Sequence, residues 1–312
     1  MGISTRGLKA QPVISAKAQQ RGADLLGALP FLAPAFLFFG IFVLYPLATT
    51  IQLSFFEWDG LSAERTFVGM DSYVSVLTED PVFWTAVHNS LIWVGLSLVV
   101  PTSLGLVLAL ALNRELAGRN VFRTVFYLPA VLAGIAVATM WRWMYNPNFG
   151  VVNATLEALG LGGLVAQWLG DPDIALYAIF AASTWVVSGL NMVLFLAGLQ
   201  NVPKELTEAA LVDGAGVWQR FLNVTVPALR PTFVIVIALT VINSLKVFDL
   251  IVGMTNGGPA QSTQVLALWS FTQSFGNHNF GEGNAIATIL LLITMLIVVP
   301  YVIWTQRGEQ SS

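Results

Sequence analysis

The sequence predicts an all-α integral membrane protein, with six transmembrane helices and a further helical segment held at the cytoplasmic surface between the fourth and fifth. Three observations carry this. Of the 312 residues, 56% are hydrophobic and 10% are charged, whereas a soluble domain carries roughly 25% charged residues. The mean hydropathy of +0.73 is high. The few charges are gathered into short intervals that separate long uncharged runs. The absence of cysteine excludes disulfides, thiolate nucleophiles and Cys-ligated metals, and a net charge of −3 gives no reason to expect a nucleic-acid partner.

A bilayer core about 30 Å thick requires about 20 apolar residues in helical form. Six runs meet this, at about 29–54, 89–112, 124–144, 174–199, 227–250 and 283–305. Their hydrophobicity is continuous and not alternating, which disfavours an outer-membrane barrel, and a lipid-exposed backbone must close its own hydrogen bonds. The first run is longer than a signal-peptide core, and Ala33 and Ala35 precede most of its apolar residues; it is read as a retained helix. Flanking tails at 1–28 and 306–312 complete a single membrane domain, 29–305.

Orientation follows from Lys and Arg, which are retained on the cytoplasmic side. Arg6, Lys9, Lys17 and Arg21, then Arg114, Arg119 and Arg123, then Lys204, Arg220 and Arg230, and finally Arg307 put eleven of the 14 on one side, against Arg65, Arg142 and Lys246 on the other. Both termini are therefore expected in the cytoplasm. Trp58, Trp141, Trp143 and Tyr145 then fall near the outer interface, where amphipathic rings are favoured. The outward connections 57–88 and 145–173 contain amphipathic stretches, Tyr73–Leu77 and Val151–Leu159, expected as short helices on the outer face.

The fourth connection, 200–226, is too polar for lipid and too patterned for a linker. Pro203 suits a helix start, Glu205 and Glu208 fall in the first turns, and Ala209, Ala210 and Leu211 favour helix. Gly214 and Gly216 break it before a second piece, Val217–Asn223, runs into Pro227. From the residues alone, this helix–bend–helix either anchors the chain at the surface or receives another protein.

Glu208-Ala209-Ala210, Gly214 and then Val224-Thr225-Val226-Pro227 have the spacing of the EAA loop, and the chain resembles the permease subunits of bacterial binding-protein-dependent ABC importers. Phe67-Val68-Gly69-Met70-Asp71-Ser72-Tyr73, Tyr127-Leu128-Pro129-Ala130, Trp141 to Pro147 and Gly257-Gly258-Pro259 are similar to the carbohydrate branch, which includes maltose and glycerol-3-phosphate permeases. Val224 and Val226 stand where Ile and Leu are usual, with apolar character kept. The resemblance implies an inner-membrane subunit that works with a second permease, cytoplasmic ATPase subunits and an extracytoplasmic solute-binding protein. It implies that Glu208 pairs with a basic residue of the ATPase, that Ala209 and Ala210 allow close approach, and that Gly214 permits the bend, with Asp213 in the same coupling loop. ATP and Mg would be bound by the ATPase, and no cofactor by this chain. In keeping with that, the sequence has no G-x-x-x-x-G-K-[ST] run, no G-x-S-x-G elbow and no H-E-x-x-H pair.

A translocation path must be lined by polar groups turned away from lipid. Trp185, Ser188 and Asn191 in the fourth run, and Asn243, Ser244 and Lys246 in the fifth, are the candidates, with Asp249 a possible partner for Lys246. Asn191 and Asn243 equally suit a role as glue between helices. The competing class is a gradient-driven carrier or channel, which would more commonly show acidic residues in mid-span. His88 and His278 are expected on outer loops.

Overall fold

A computed structural model describes residues 30–309. The expected tail 1–28 lies outside them, as do the last three residues of the C-terminal tail. The described residues form two compact units, 30–52 and 53–309. The first unit contains helix α1, Pro30–Leu53, nearly to its end, with a π-turn at Gly40–Leu44.

The second unit opens with the connection that follows α1. Phe56–Glu57 (β1) pairs antiparallel with Thr66–Phe67 (β2), Phe56 facing Phe67. The turn between them is closed by Asp59, whose Oδ1 accepts from the amides of Leu61 and Ser62, holding its carboxyl below the usual carboxylate range. Helix α2, Asp71–Thr78, follows, and it covers the expected Tyr73–Leu77 stretch.

Helix α3, Pro81–Leu112, is 32 residues long, about 48 Å at 1.5 Å per residue. It starts eight residues before the expected Asn89, because Asp80 caps it: Asp80 Oδ1 accepts from the amides of Val82 and Phe83, and Pro81 takes the first-turn position where its missing N–H costs nothing. His88 thus lies in a helix, not a loop, exposed on α3.

The expected third run is not one rod. It is Arg119–Val131 (α4) and Gly134–Met144 (α5), bent by 100°. Pro129 removes a backbone donor near the end of α4, and Leu132 and Ala133 are extended, with ψ of 145° and 137°. Helix α6, Val151–Ala158, realises the second amphipathic stretch. Helix α7, Ala175–Gln200, matches the fourth run to within a residue at each end.

After α7 come α8, Lys204–Val212, and α9, Val217–Ala228, which meets α10, Arg230–Leu245, at 69°. Helix α10 spans 16 residues, about 24 Å, and stops short of the expected Leu250. Beyond it lie α11, Asp249–Met254, and α12, Leu266–Phe271, and then α13, Phe280–Glu309, for the sixth run. Among the described residues four helices are long and apolar enough to cross a bilayer unbroken, and the two bent pairs raise the count to six if each is one crossing.

Helix α7 is the packing centre of this unit, lying along α3 and also meeting α4 and α10. Small residues allow it. A β-carbon built on Gly189 would overlap the Phe126 carbonyl of α4, and one on Gly105 of α3 would come within 2.9 Å of the Met192 amide of α7. Without a hydrophobic drive between helices in lipid, such close backbone approach supplies the packing energy. Two of the four apolar clusters among the described residues are built on α7. One includes Trp93, Ala138, Ile179, Ile251 and Leu268. The other gathers Ala109, Leu112, Phe195, Leu199, Leu229 and Val236.

Side-chain hydrogen bonds tie partners far apart in sequence. Asn89 Nδ2 donates to the carbonyls of Ser262 and Gln264, both at 2.8 Å, and Trp269 Nε1 donates to Asp80 Oδ2 at 2.6 Å. Ser75 Oγ donates to Glu282 Oε1 at 2.8 Å.

Gly189→Leu should lower the thermal midpoint of the detergent-solubilised chain by several degrees, since the overlap with Phe126 is with backbone and overpacking costs about 1–3 kcal/mol. Gly40→Leu, built where nothing lies within 4 Å, should leave the midpoint nearly unchanged; thermal aggregation of both variants measures the contrast.

Candidate functional site: the helix–turn–helix between α7 and α10 and the polar gap above it

Helix α8 begins after Pro203, which has φ −60° and ψ 129°. Its far end is closed by a Schellman turn: the Ala215 amide donates to the Ala210 carbonyl at 2.9 Å and the Gly214 amide to the Leu211 carbonyl at 3.1 Å. Gly214 has φ +76°, and no atom lies within 4 Å of the position its β-carbon would take. Glycine is needed here for its left-handed backbone, not for space. Asp213 occupies the C-cap, and Gly216 then starts α9, its amide donating to Gln219 Oε1 at 2.9 Å.

Glu208 and Ala209 are exposed, with Leu211 57% and Val212 86% exposed beside them. Val224 and Val226 are half-buried, and Pro227 is exposed in the last turn of α9. The expected coupling residues therefore share one helix–turn–helix.

Its two ends meet. A β-carbon on Gly198, in the last turn of α7, would overlap Thr232 Oγ1 and come within 2.9 Å of Leu229 Cδ2, both at the start of α10. Leu229 is fully buried, and Phe195 of α7 packs edge-on against Phe233 of α10 with ring centroids 5.0 Å apart. The loop thus leaves and returns at one clamp. Sequence reading missed Gly198, Leu229 and Thr232; the signal available was a glycine immediately ahead of the polar connection.

The substrate-path candidates divide. Asn191, Asn243 and Ser244 line one gap between α3, α7 and α10, with Ser97 and Thr240, around a cavity of about 80 Å³. Asn191 Nδ2 and Thr240 Oγ1 are buried there without a hydrogen-bond partner. A polar cavity of this size holds more than one water molecule. Trp185 and Ser188 lie outside it: Trp185 meets Trp141 edge-on at 6.0 Å, and Ser188 Oγ donates to the Trp185 carbonyl. Lys246 also lies outside, exposed, at the C-cap of α10. Lys246 and Asp249 form no ion pair among the described residues, because the chain between them is not helical: Phe248 has φ −144° and ψ −61°, so the three-residue spacing no longer stacks the side chains. Asp249 instead packs against Gly134, where a β-carbon would lie 2.9 Å from its Oδ2. Among the described residues no group of three or more His, Asp or Glu side chains is arranged to hold a metal ion.

Fold and site together define a polytopic helical membrane protein with a protruding helix–turn–helix rooted between two packed helices. Residues 101–310 match the family described as the inner membrane component of binding-protein-dependent transport systems. The chain is 40% identical over 292 residues to a probable ABC transporter permease of Pyrococcus horikoshii, covering 93% of this chain and 99% of that one. It is 34% identical to the trehalose/maltose transport permease of Thermococcus litoralis, covering 91% and 95%, and 34% identical to the lactose transport permease of Rhizobium radiobacter, covering 91% and 94%. Its fold is similar to a chain of a bacterial alginate ABC importer, with a TM-score of 0.77 at 24% identity over 93% of this chain and 98% of that one. The chain belongs to the binding-protein-dependent transport permease family; it is a transport subunit, not an enzyme.

Gly214→Ala should destabilise the turn by about 1–2 kcal/mol, the cost of a left-handed L-residue. Gly214→Pro should do more, since it fixes φ near −65° and removes the amide that binds the Leu211 carbonyl. Hydrogen exchange of amides 208–215 in the purified chain should speed up modestly in the first variant and approach unprotected rates in the second.

Proposed function

We propose that the chain is the membrane-spanning permease of an ATP-driven, binding-protein-dependent importer of a sugar or related polyol, with both termini cytoplasmic, the spans at 29–54, 89–112, 124–144, 174–199, 227–250 and 283–305 as six crossings, and 200–226 as its coupling loop. The observation that carries this is the clamp. A cytoplasmic ATPase that grips α8 at Glu208, Ala209 and Ala210 moves α7 and α10 together, because Gly198 and Leu229 leave no slack between them. ATP and Mg belong to that separate ATPase.

Exposed polar groups support a second permease against this one. Asn243 and Lys246 are exposed on this chain alone. Polar and charged side chains are costly against lipid, so these positions suit contact with protein or a water-filled path. The gap at Asn191, Asn243 and Ser244, at about 80 Å³, takes water as it stands; opened by helix motion, it would present Asn191 Nδ2 and Thr240 Oγ1 to a hydroxyl-rich solute. The carbohydrate assignment takes its support from the named cargo of the trehalose/maltose and lactose relatives. The outer connections 57–88 and 145–173 would receive the solute-binding protein.

Reconstitution with the partner permease, ATPase and binding protein tests this reading. Uptake should require ATP and the binding protein, and Glu208→Lys should leave the chain inserted while lowering uptake per ATP at least tenfold. Gradient-driven uptake by this chain alone would overturn it.

A further inference from the structure

Two adjoining clefts lie at the root of the helix–turn–helix, sharing Leu110, Asn113, Thr207 and Thr225, and they differ in charge. One has a volume of about 530 Å³ and contains Glu208. The other, about 520 Å³, lies between the end of α3 and α9, with Leu106, Val107, Leu110 and Phe221 on its apolar walls and Arg114 and Arg220 among its polar ones. Arg220 Nε is buried without a hydrogen-bond partner. Trp218 lines the same cleft, is 75% exposed, and meets Phe221 edge-on at 6.0 Å.

We propose that this second cleft holds the phosphate headgroup of an acidic phospholipid from the cytoplasmic leaflet. The inference rests on the cytoplasmic placement of the loop proposed above. The amphipathic layering fits a lipid and not a free anion. From Leu106 to Asn113 the helix rises about 10 Å, so the apolar wall extends into the acyl region while Arg114 sits at headgroup depth. Arginines in pockets between helices on the cytoplasmic side are suited to lipid phosphate, and an exposed tryptophan beside them is typical of the membrane interface. Charge separates this occupant from the ATPase: a surface basic enough to pair with Glu208 is repelled by Arg114 and Arg220, and a phosphate is attracted. A lipid there would brace α9 against α3 and make the stiffness of the coupling loop depend on the acidic-lipid content of the membrane.

The test uses the full chain in nanodiscs of phosphatidylcholine with graded phosphatidylglycerol, one or the other lipid carrying brominated acyl chains. The quenching lost in Trp218→Phe isolates Trp218. Brominated phosphatidylglycerol should quench Trp218 at a mole fraction about 25-fold lower than brominated phosphatidylcholine, from about fivefold per arginine. The preference should vanish in Arg114→Gln/Arg220→Gln and survive in Arg114→Lys/Arg220→Lys, which keeps the charge if the neutral variant folds poorly. Equal quenching by both lipids, a preference retained in the glutamine variant, or displacement by excess inorganic phosphate would overturn the proposal. So would loss of the quenching when the ATPase is added, which would make the cleft a protein interface. Impermeant labelling of Asn223→Cys reads the placement of the loop separately: reaction from the cytoplasmic face with no lipid preference rejects the lipid site alone, and reaction from outside rejects both.

Discussion

One contact point governs how this molecule can be moved. Gly198 at the end of α7 lies against Leu229 and Thr232 at the start of α10, too close for a β-carbon. The loop between them is therefore a lever with a single root. Around that root Leu229 is fully buried in a core shared with Ala109 and Leu112 of α3 and with Phe195 and Leu199 of α7. Displacing α8 cannot be absorbed by separating α7 from α10 without opening this core, and opening a cavity in a packed core costs several kcal/mol. Rigid-body motion of the helices is the cheaper response.

The clamp and the polar gap are the two ends of one design. Between the core around Leu229 and the core around Trp93 and Ile179 lies a band where Ser97, Asn191, Thr240, Asn243 and Ser244 stand among apolar side chains such as Leu190 and Leu239. Helices that pack on apolar surface above and below such a band can rock about it with little rearrangement of either core. Asn191 Nδ2 and Thr240 Oγ1, without a protein partner there, make this band a favourable place for water.

Much of this was legible in the residues. The positions of α7 and α13 follow from uncharged runs alone, and the α8–Gly214–α9 unit from helix formers interrupted by glycine, since those signals are local. The bend between α4 and α5 was not legible. Pro129 by itself is tolerated within many membrane helices, and what stabilises the extended Leu132–Ala133 break is the packing of α5 against α11, where Gly134 meets Asp249, 115 residues away in sequence. The early end of α10 was hidden for a related reason, because Val247 and Leu250 continue an apolar pattern past Lys246. Likewise, nothing local joins Asn89 to Ser262 and Gln264. Of the path candidates, Asn191, Asn243 and Ser244 converge while Trp185, Ser188 and Lys246 do not. In nearly uniformly apolar helices the composition fixes that a helix crosses, but not which way it is rotated.

The most direct test of the clamp is uptake per ATP hydrolysed in the reconstituted complex carrying Gly198→Val, compared with Gly198→Ala, after both are shown to insert and assemble. The account predicts graded uncoupling: hydrolysis continues while cargo moved per ATP falls, modestly for alanine and at least tenfold for valine, as the wedge against Thr232 and Leu229 grows. Unchanged stoichiometry in an assembled valine complex would contradict it, because α7 and α10 would then be moving without the contact that is held to join them.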